Sequence, residues 1–99
     1  MVEITATYGH GEYALEMHGH ATGSPEVCAA CSSLAGAFSG WCSNSRSAWG
    51  VSVEEKDGSY TASAQGGQDL ETALDTTIAG LFRVEAARPD LVHVSVKKI

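Results

Sequence analysis

The order of strand-like and helix-like segments is the feature that most constrains how this chain can fold. Apolar residues recur at spacings of three and four over residues 25–42 and 69–87, which predicts two amphipathic helices. Around these stretches, apolar and polar residues alternate with a period of two, as in strands with one buried face. The predicted strands are residues 2–8, 12–19, 49–56, 60–64 and 91–98.

Two short turns pair these strands. Gly9-His10-Gly11 separates the first two strands, and Asp57-Gly58 is a two-residue hairpin turn between the third and the fourth. Hairpins make antiparallel pairs, and two amphipathic helices need an apolar sheet face to cover. We therefore expect an α+β fold of order ββαββαβ, with one mostly antiparallel sheet packed with two helices. With 99 residues, the chain is expected to form a single domain, residues 1–99.

Charge, apolar runs and cysteine content indicate which partners and which location to expect. The formal net charge of −6 does not suit a phosphate backbone, which needs clustered Lys and Arg, but it is compatible with a basic protein partner. No apolar run approaches the roughly 20 residues that cross a bilayer, and the first residues do not resemble a signal peptide. Three cysteines form a poor disulfide framework and suit reduced thiols. We expect a cytoplasmic protein that binds neither nucleic acid nor membranes.

The start of the first predicted helix carries a cysteine. Ser24 is a good N-cap whose hydroxyl can accept from the free N–H groups of the first turn, and Pro25 suits the first helical position. Glu26 follows at the positive end of the helix dipole. Cys28 then lies about one turn into the helix, where the dipole and unpaired N–H groups favour its thiolate.

A histidine precedes this cysteine by eight positions. His20 ends the second predicted strand, and Gly23 and Pro25 in the following loop favour a reversal of the chain. A base within hydrogen-bond reach of a thiol is the arrangement that nucleophilic catalysis requires. His18 shares the strand face of His20, so it is a second histidine near the same place.

These residues also carry a family resemblance, mainly within residues 17–38. Gly19-His20-Ala21 after a strand, then Val27-Cys28-Ala29-Ala30, resembles the ribosomal-processing cysteine protease family, Prp. The family's loop is longer and has an aspartate shortly before the cysteine, where this chain has Pro25-Glu26. The resemblance implies a homodimeric Cys–His protease of similar fold that acts in ribosome biogenesis. Such proteases remove an N-terminal extension from a large-subunit ribosomal protein.

The resemblance assigns roles to individual residues. Cys28 is the expected nucleophile and His20 the expected base, with no metal or cofactor required. Backbone N–H groups at the helix start, including that of Cys28, are expected to hold the oxyanion. The substrate segment is expected to lie across the loop, with these substrate-binding residues: Ala21, Thr22, Gly23 and Ser24. Glu26 is first an acid at the helix start and second a candidate to orient His20.

Two other functions remain open from the sequence. A zinc-binding module would use His18, His20, Cys28 and Cys31, which are chemically fit for a tetrahedral site. However, Cys31 falls on the apolar stripe of the helix, so we expect it in the core. The second alternative is an inactive, dimeric interaction protein that keeps the protease fold, and the short loop before Cys28 supports it.

Overall fold

The predicted order of elements is present in the structure, a computed structural model that describes residues 1–99. Five strands and two helices follow one another as ββαββαβ, so the expected α+β class is confirmed. Each element begins and ends within two residues of its predicted bounds. The strands are β1 (Val2–Tyr8), β2 (Glu12–Gly19), β3 (Ala48–Lys56), β4 (Ser59–Gly66) and β5 (Val92–Lys98), and the helices are α1 (Pro25–Asn44) and α2 (Gln68–Ala87).

The five strands form one mixed sheet in the order β3-β4-β2-β1-β5. The two predicted hairpins, β1–β2 and β3–β4, pair antiparallel, and β2 also pairs antiparallel with β4. Only β1 and β5 run parallel, with Val2 opposite Val92. The sheet is therefore mostly antiparallel, as expected, and its one parallel pair joins the first strand to the last.

Both helices pack on the same sheet face. The alternation along the strands buries one set of apolar side chains beneath the helices, including Ile4, Leu15 and Val92. The opposite face carries polar side chains such as Glu16 and His18, which are exposed. One hydrophobic core therefore lies between the sheet and the helix layer.

One large apolar residue of α1 packs between the helices instead of against the sheet. Leu34 is only half-buried, because it lies between the two helices rather than on the sheet. A Cβ placed on Gly80 of α2 would come within 2.8 Å of Leu34 Cδ2, so this glycine permits the close approach of the helices. The residues of α1 that are buried are Val27, Cys31, Ala35, Phe38 and Cys42.

Strand β3 lies at the edge of the sheet, beyond the reach of the helices over most of its length. Every residue of β3 after Ala48 is exposed. Its apolar side chains include Trp49, which is 59% exposed, together with Val51 and Val53. The Trp49 indole donates a hydrogen bond from Nε1 to Gln65 Oε1 at 2.9 Å. An edge strand with free backbone groups and apolar side chains is a ready surface for pairing. Neither helix of the structure has the length and apolar character that crossing a membrane requires.

Candidate active site

The end of β2 is held in place by backbone contacts on two sides. Gly19 has φ +99°, and a Cβ at this position would collide with the Met1 carbonyl oxygen. The Gly19 N–H donates to the Gly58 carbonyl oxygen at 2.9 Å, in the turn between β3 and β4. The Met1 nitrogen donates to the His20 carbonyl oxygen at 2.8 Å. These contacts fix the backbone of His20, while its side chain remains 58% exposed.

The loop from Ala21 to Ser24 turns the chain from β2 into α1. Its middle residues, Thr22 and Gly23, are exposed, whereas Ala21 and Ser24 are buried. The turn is closed by the Ser24 N–H, which donates to the Ala21 carbonyl oxygen at 3.0 Å. Gly23 has φ +81°, a conformation that favours glycine, as the turn predicted from this residue requires. Of the four predicted substrate-binding residues, Thr22 and Gly23 are thus the two that face solvent.

Ser24 occupies the predicted N-cap position, but its side chain does not cap the helix. The hydroxyl makes no capping hydrogen bond, and Oγ is buried without a partner in hydrogen-bonding geometry. The pKa of the neighbouring Glu26 carboxyl is lowered, chiefly by its own backbone N–H and less by the Ser24 hydroxyl. A negative charge in the first turn of α1 also suits the helix dipole.

The thiol of Cys28 lies against the first residue of this loop. The Ala21 N–H donates to Cys28 Sγ at 3.4 Å, and the thiol faces the Ala21 carbonyl oxygen at 3.8 Å. Cys28 is partly exposed, at the edge of the buried stripe, as its position on the helix predicted. The sulfur therefore lies beside the start of α1, with one backbone N–H directed at it and one carbonyl oxygen in front of the thiol.

The other two cysteines differ from Cys28 in burial. Cys31 and Cys42 are 1% and 2% exposed and lie in the core, as expected. Burial raises the pKa of both thiols, because the charged form loses its hydration. Cys28 is therefore the one thiol of the chain that solvent and reagents can reach.

His20 and Cys28 line a common cleft of about 250 Å³. Its walls come from the ends of β1 and β2, from the start of α1 and from the turn between β3 and β4. No hydrogen bond joins the imidazole to the thiol. The two predicted dyad residues thus open into one space.

The acid that faces His20 is Asp57, not Glu26. Asp57 Oδ1 lies 3.8 Å from His20 Nε2, and the imidazole rests against Gly58. The sequence indicated Asp57-Gly58 only as a hairpin turn. What brings this turn to His20 is the pairing of β2 with β4, which places His18 opposite Ser59. That pairing joins strands that are not consecutive, so alternation alone does not predict it.

The four residues of the zinc alternative are not assembled as a metal site. His18 points from the open sheet face, where its Nδ1 is 3.3 Å from Ser59 Oγ, whereas Cys31 is in the core beneath α1. No three side chains of the metal-ligating types His, Cys, Asp and Glu come together in a group that could hold an ion. This geometry does not favour a zinc-binding module.

Comparison with known proteins gives structural matches only. No family model matches the sequence, and no curated relative matches it in sequence. The ribosomal processing protease Prp from S. aureus, solved with a covalently linked product peptide, has a TM-score of 0.83 at 18% identity, covering 98% of this chain and 100% of that one. Its complex with a substrate peptide gives 0.76 at 16% identity, over 98% and 100% of the two chains. SMU.848 from Streptococcus mutans gives 0.75 at 20% identity, over 100% and 96%. The chain therefore has the fold of the ribosomal processing protease Prp, as its two short motifs predicted.

Proposed function

We propose that this protein is a cysteine endopeptidase with Cys28 as nucleophile and His20 as general base. The observation that carries the proposal is that the one accessible thiol and the His20 imidazole line the same cleft. The thiol also receives an N–H from Ala21 at 3.4 Å beside a helix N-terminus. A partly exposed thiol in such a setting suits nucleophilic chemistry better than packing.

The reaction requires His20 to turn toward the sulfur. Its side chain is 58% exposed and rests against the protein at Gly58, so the other side of the ring faces open space. The imidazole then takes the thiol proton, the thiolate attacks the scissile carbonyl, and the proton is returned to the leaving amine. Water releases the acyl group from Cys28 in the second half of the reaction.

The Cys28 N–H, which the sequence suggested as an oxyanion donor, already makes a hydrogen bond in the structure. The Cys28 N–H donates to the Ser24 carbonyl oxygen at 3.2 Å, so it is not free in this state. Either this long hydrogen bond opens when substrate binds, or other N–H groups of the first turn hold the oxyanion.

The substrate that fits this proposal is an extended segment of a protein. By likeness of fold to Prp, we propose the N-terminal extension of a large-subunit ribosomal protein. The exposed residues Thr22 and Gly23 are placed to contact that segment. Glu55 and Asp57 on the cleft wall, with the net charge of −6, favour a segment that carries basic residues.

Two measurements test the proposal. Iodoacetamide at pH 7 is expected to label Cys28 well ahead of Cys31 and Cys42, as mass spectrometry of tryptic peptides would measure. A Cys28→Ala variant is expected to fold normally and to lose all cleavage of an extended ribosomal-protein peptide, while the control Ser33→Ala, on the exposed side of α1, keeps it. Cleavage that survives in Cys28→Ala would refute the assignment. Because burial alone protects Cys31 and Cys42, the rate at Cys28 is also compared with that of free cysteine, and a rate no higher than this would instead favour an inactive interaction protein.

The exposed edge strand supports a homodimer. Trp49, Val51 and Val53 offer apolar surface beside the free backbone groups of β3, which suits antiparallel pairing with β3 of a second copy. Light scattering after size exclusion is expected to give twice the chain mass of 10.3 kDa. Val51→Lys is expected to lower that mass to one chain, and a monomeric wild type would refute the proposal.

A further inference from the structure

The turn between β3 and β4 forms a seat for the His20 side chain. Three contacts build it: Gly58 lies directly beneath the imidazole, Asp57 Oδ1 is 3.8 Å from Nε2, and the Gly58 carbonyl oxygen accepts the Gly19 N–H at 2.9 Å. The hydrogen bond between Gly19 and Gly58 keeps the turn at a fixed distance from the backbone of His20. The other two contacts act on the ring itself.

Gly58 makes room for the ring because it has no side chain. A Cβ at this position would lie 2.8 Å from His20 Nε2 and 3.4 Å from Cε1. Gly58 also has φ +74°, as hairpin turns of this length require. The same glycine thus serves the turn and the approach of the imidazole.

We propose that Asp57 is a positioning residue for His20 in the protease reaction, an inference that rests on the proposed function. A carboxylate beside Nε2 favours the tautomer in which Nε2 carries the proton. Nδ1 is then the free lone pair, and it is this nitrogen that takes the proton from Cys28 when the ring turns about its bond to Cβ. After the transfer, the carboxylate stabilises the imidazolium.

The assignment explains how the chain compensates for a difference from the Prp motif. The position before the valine-cysteine pair, where the family has an aspartate, is occupied by Pro25-Glu26. No hydrogen bond or ion pair joins Glu26 to His20, and Glu26 lies in the first turn of α1. Asp57, from the neighbouring hairpin, thus provides the carboxylate that the loop before Cys28 lacks.

Other charged or titratable groups also surround His20, so the test must separate Asp57 from a general effect of charge. Glu55 and Lys56 line the cleft from the same hairpin, Cys28 lines it from α1, and the Met1 nitrogen is bonded to the His20 carbonyl. A matched control is Glu54→Gln, which removes one negative charge from exposed β3 and does not line the cleft.

The experiment compares Asp57→Asn, Asp57→Glu and Glu54→Gln with the wild type. The ¹⁵N chemical shifts of the His20 ring, measured by NMR, are expected to show the Nε2–H tautomer in the wild type and a smaller share of it in Asp57→Asn. The alkylation rate of Cys28 at pH 7 and kcat/KM for peptide cleavage are each expected to fall roughly two- to fivefold. Asp57→Glu is expected to restore most of both rates, and Glu54→Gln to match the wild type.

The outcomes separate this inference from the proposed function. A wild type that cleaves peptide while Asp57→Asn retains the wild-type ¹⁵N shifts of the His20 ring overturns the role of Asp57 alone. An altered tautomer with unchanged Cys28 alkylation also overturns it, because the carboxylate would then lie near the ring without any effect on the reaction of the thiol. A wild type that never cleaves peptide refutes the protease, and alkylation of Cys28, which needs no substrate, still decides whether Asp57 acts on the dyad.

Discussion

A glycine-to-alanine substitution in the hairpin turn gives a sharp test of the site geometry. In Gly58→Ala the new Cβ would lie 2.8 Å from His20 Nε2, and ordinary contact begins at 3.4 Å, so the ring must move by about 0.6 Å. Because misplacement of a catalytic group by about 1 Å can lower a rate by about 100-fold, we expect a loss of about tenfold in kcat/KM. The alanine also takes a left-handed conformation, which costs roughly 1–2 kcal/mol of folding free energy.

Gly11→Ala is the matched control for this backbone effect. Gly11 has φ +78° against +74° for Gly58, and it also lies in a hairpin turn, but a Cβ there meets only ordinary contact at 3.7 Å. Urea unfolding is expected to give similar losses of stability in the two variants, since the His20 side chain is free to move aside. Peptide cleavage and Cys28 alkylation are expected to fall only in Gly58→Ala. Equal activity in the two variants would refute the claim that the turn seats the imidazole.

Two further predictions concern stability. Tyr60→Phe removes a buried hydroxyl that donates to the Ala35 carbonyl oxygen at 2.6 Å, so unfolding free energy is expected to fall by about 1 kcal/mol and Tm by about 4–8 °C, as calorimetry would measure; an unchanged Tm would contradict this. Glu26 has a pKa below its ordinary value of 4.5, so its charge stabilises the fold above about pH 4.5 and the contribution is lost as pH falls through the folded-state pKa. The stability difference between wild type and Glu26→Gln, measured by urea unfolding from pH 7 to pH 3, is therefore expected to shrink in acid, and a constant difference would argue against it.

Local patterns predicted the elements well because each pattern has a local cause. Alternation in residues 2–8 and 12–19, with a glycine-rich turn between them, leaves little choice but a hairpin. Pro25 and the apolar spacing after it defined α1 to within two residues of its observed end. The parallel contact of β1 with β5 was not predicted, because no turn or short loop encodes it.

Of the candidate site, the sequence indicated the two residues that line one cleft. The motifs selected His20 and Cys28, and burial of Cys31 followed from helical spacing. Two features were not predictable from the sequence: the missing side-chain cap at Ser24 and the position of Asp57 beside His20. The Ser24 side chain makes no capping hydrogen bond. The hairpin that carries Asp57 lies beside His20 only because β2 pairs with β4.

The parallel pairing of β1 with β5 has a consequence for how this protein is made. One edge of β1 pairs only with β5, and Val2 lies opposite Val92, which is 90 positions later in the chain. Synthesis delivers β5 after the other four strands, so one edge of the sheet stays unpaired in the nascent chain until β5 has been made. Closing so long a loop is also entropically slow, which points to docking of β5 as the late step of folding.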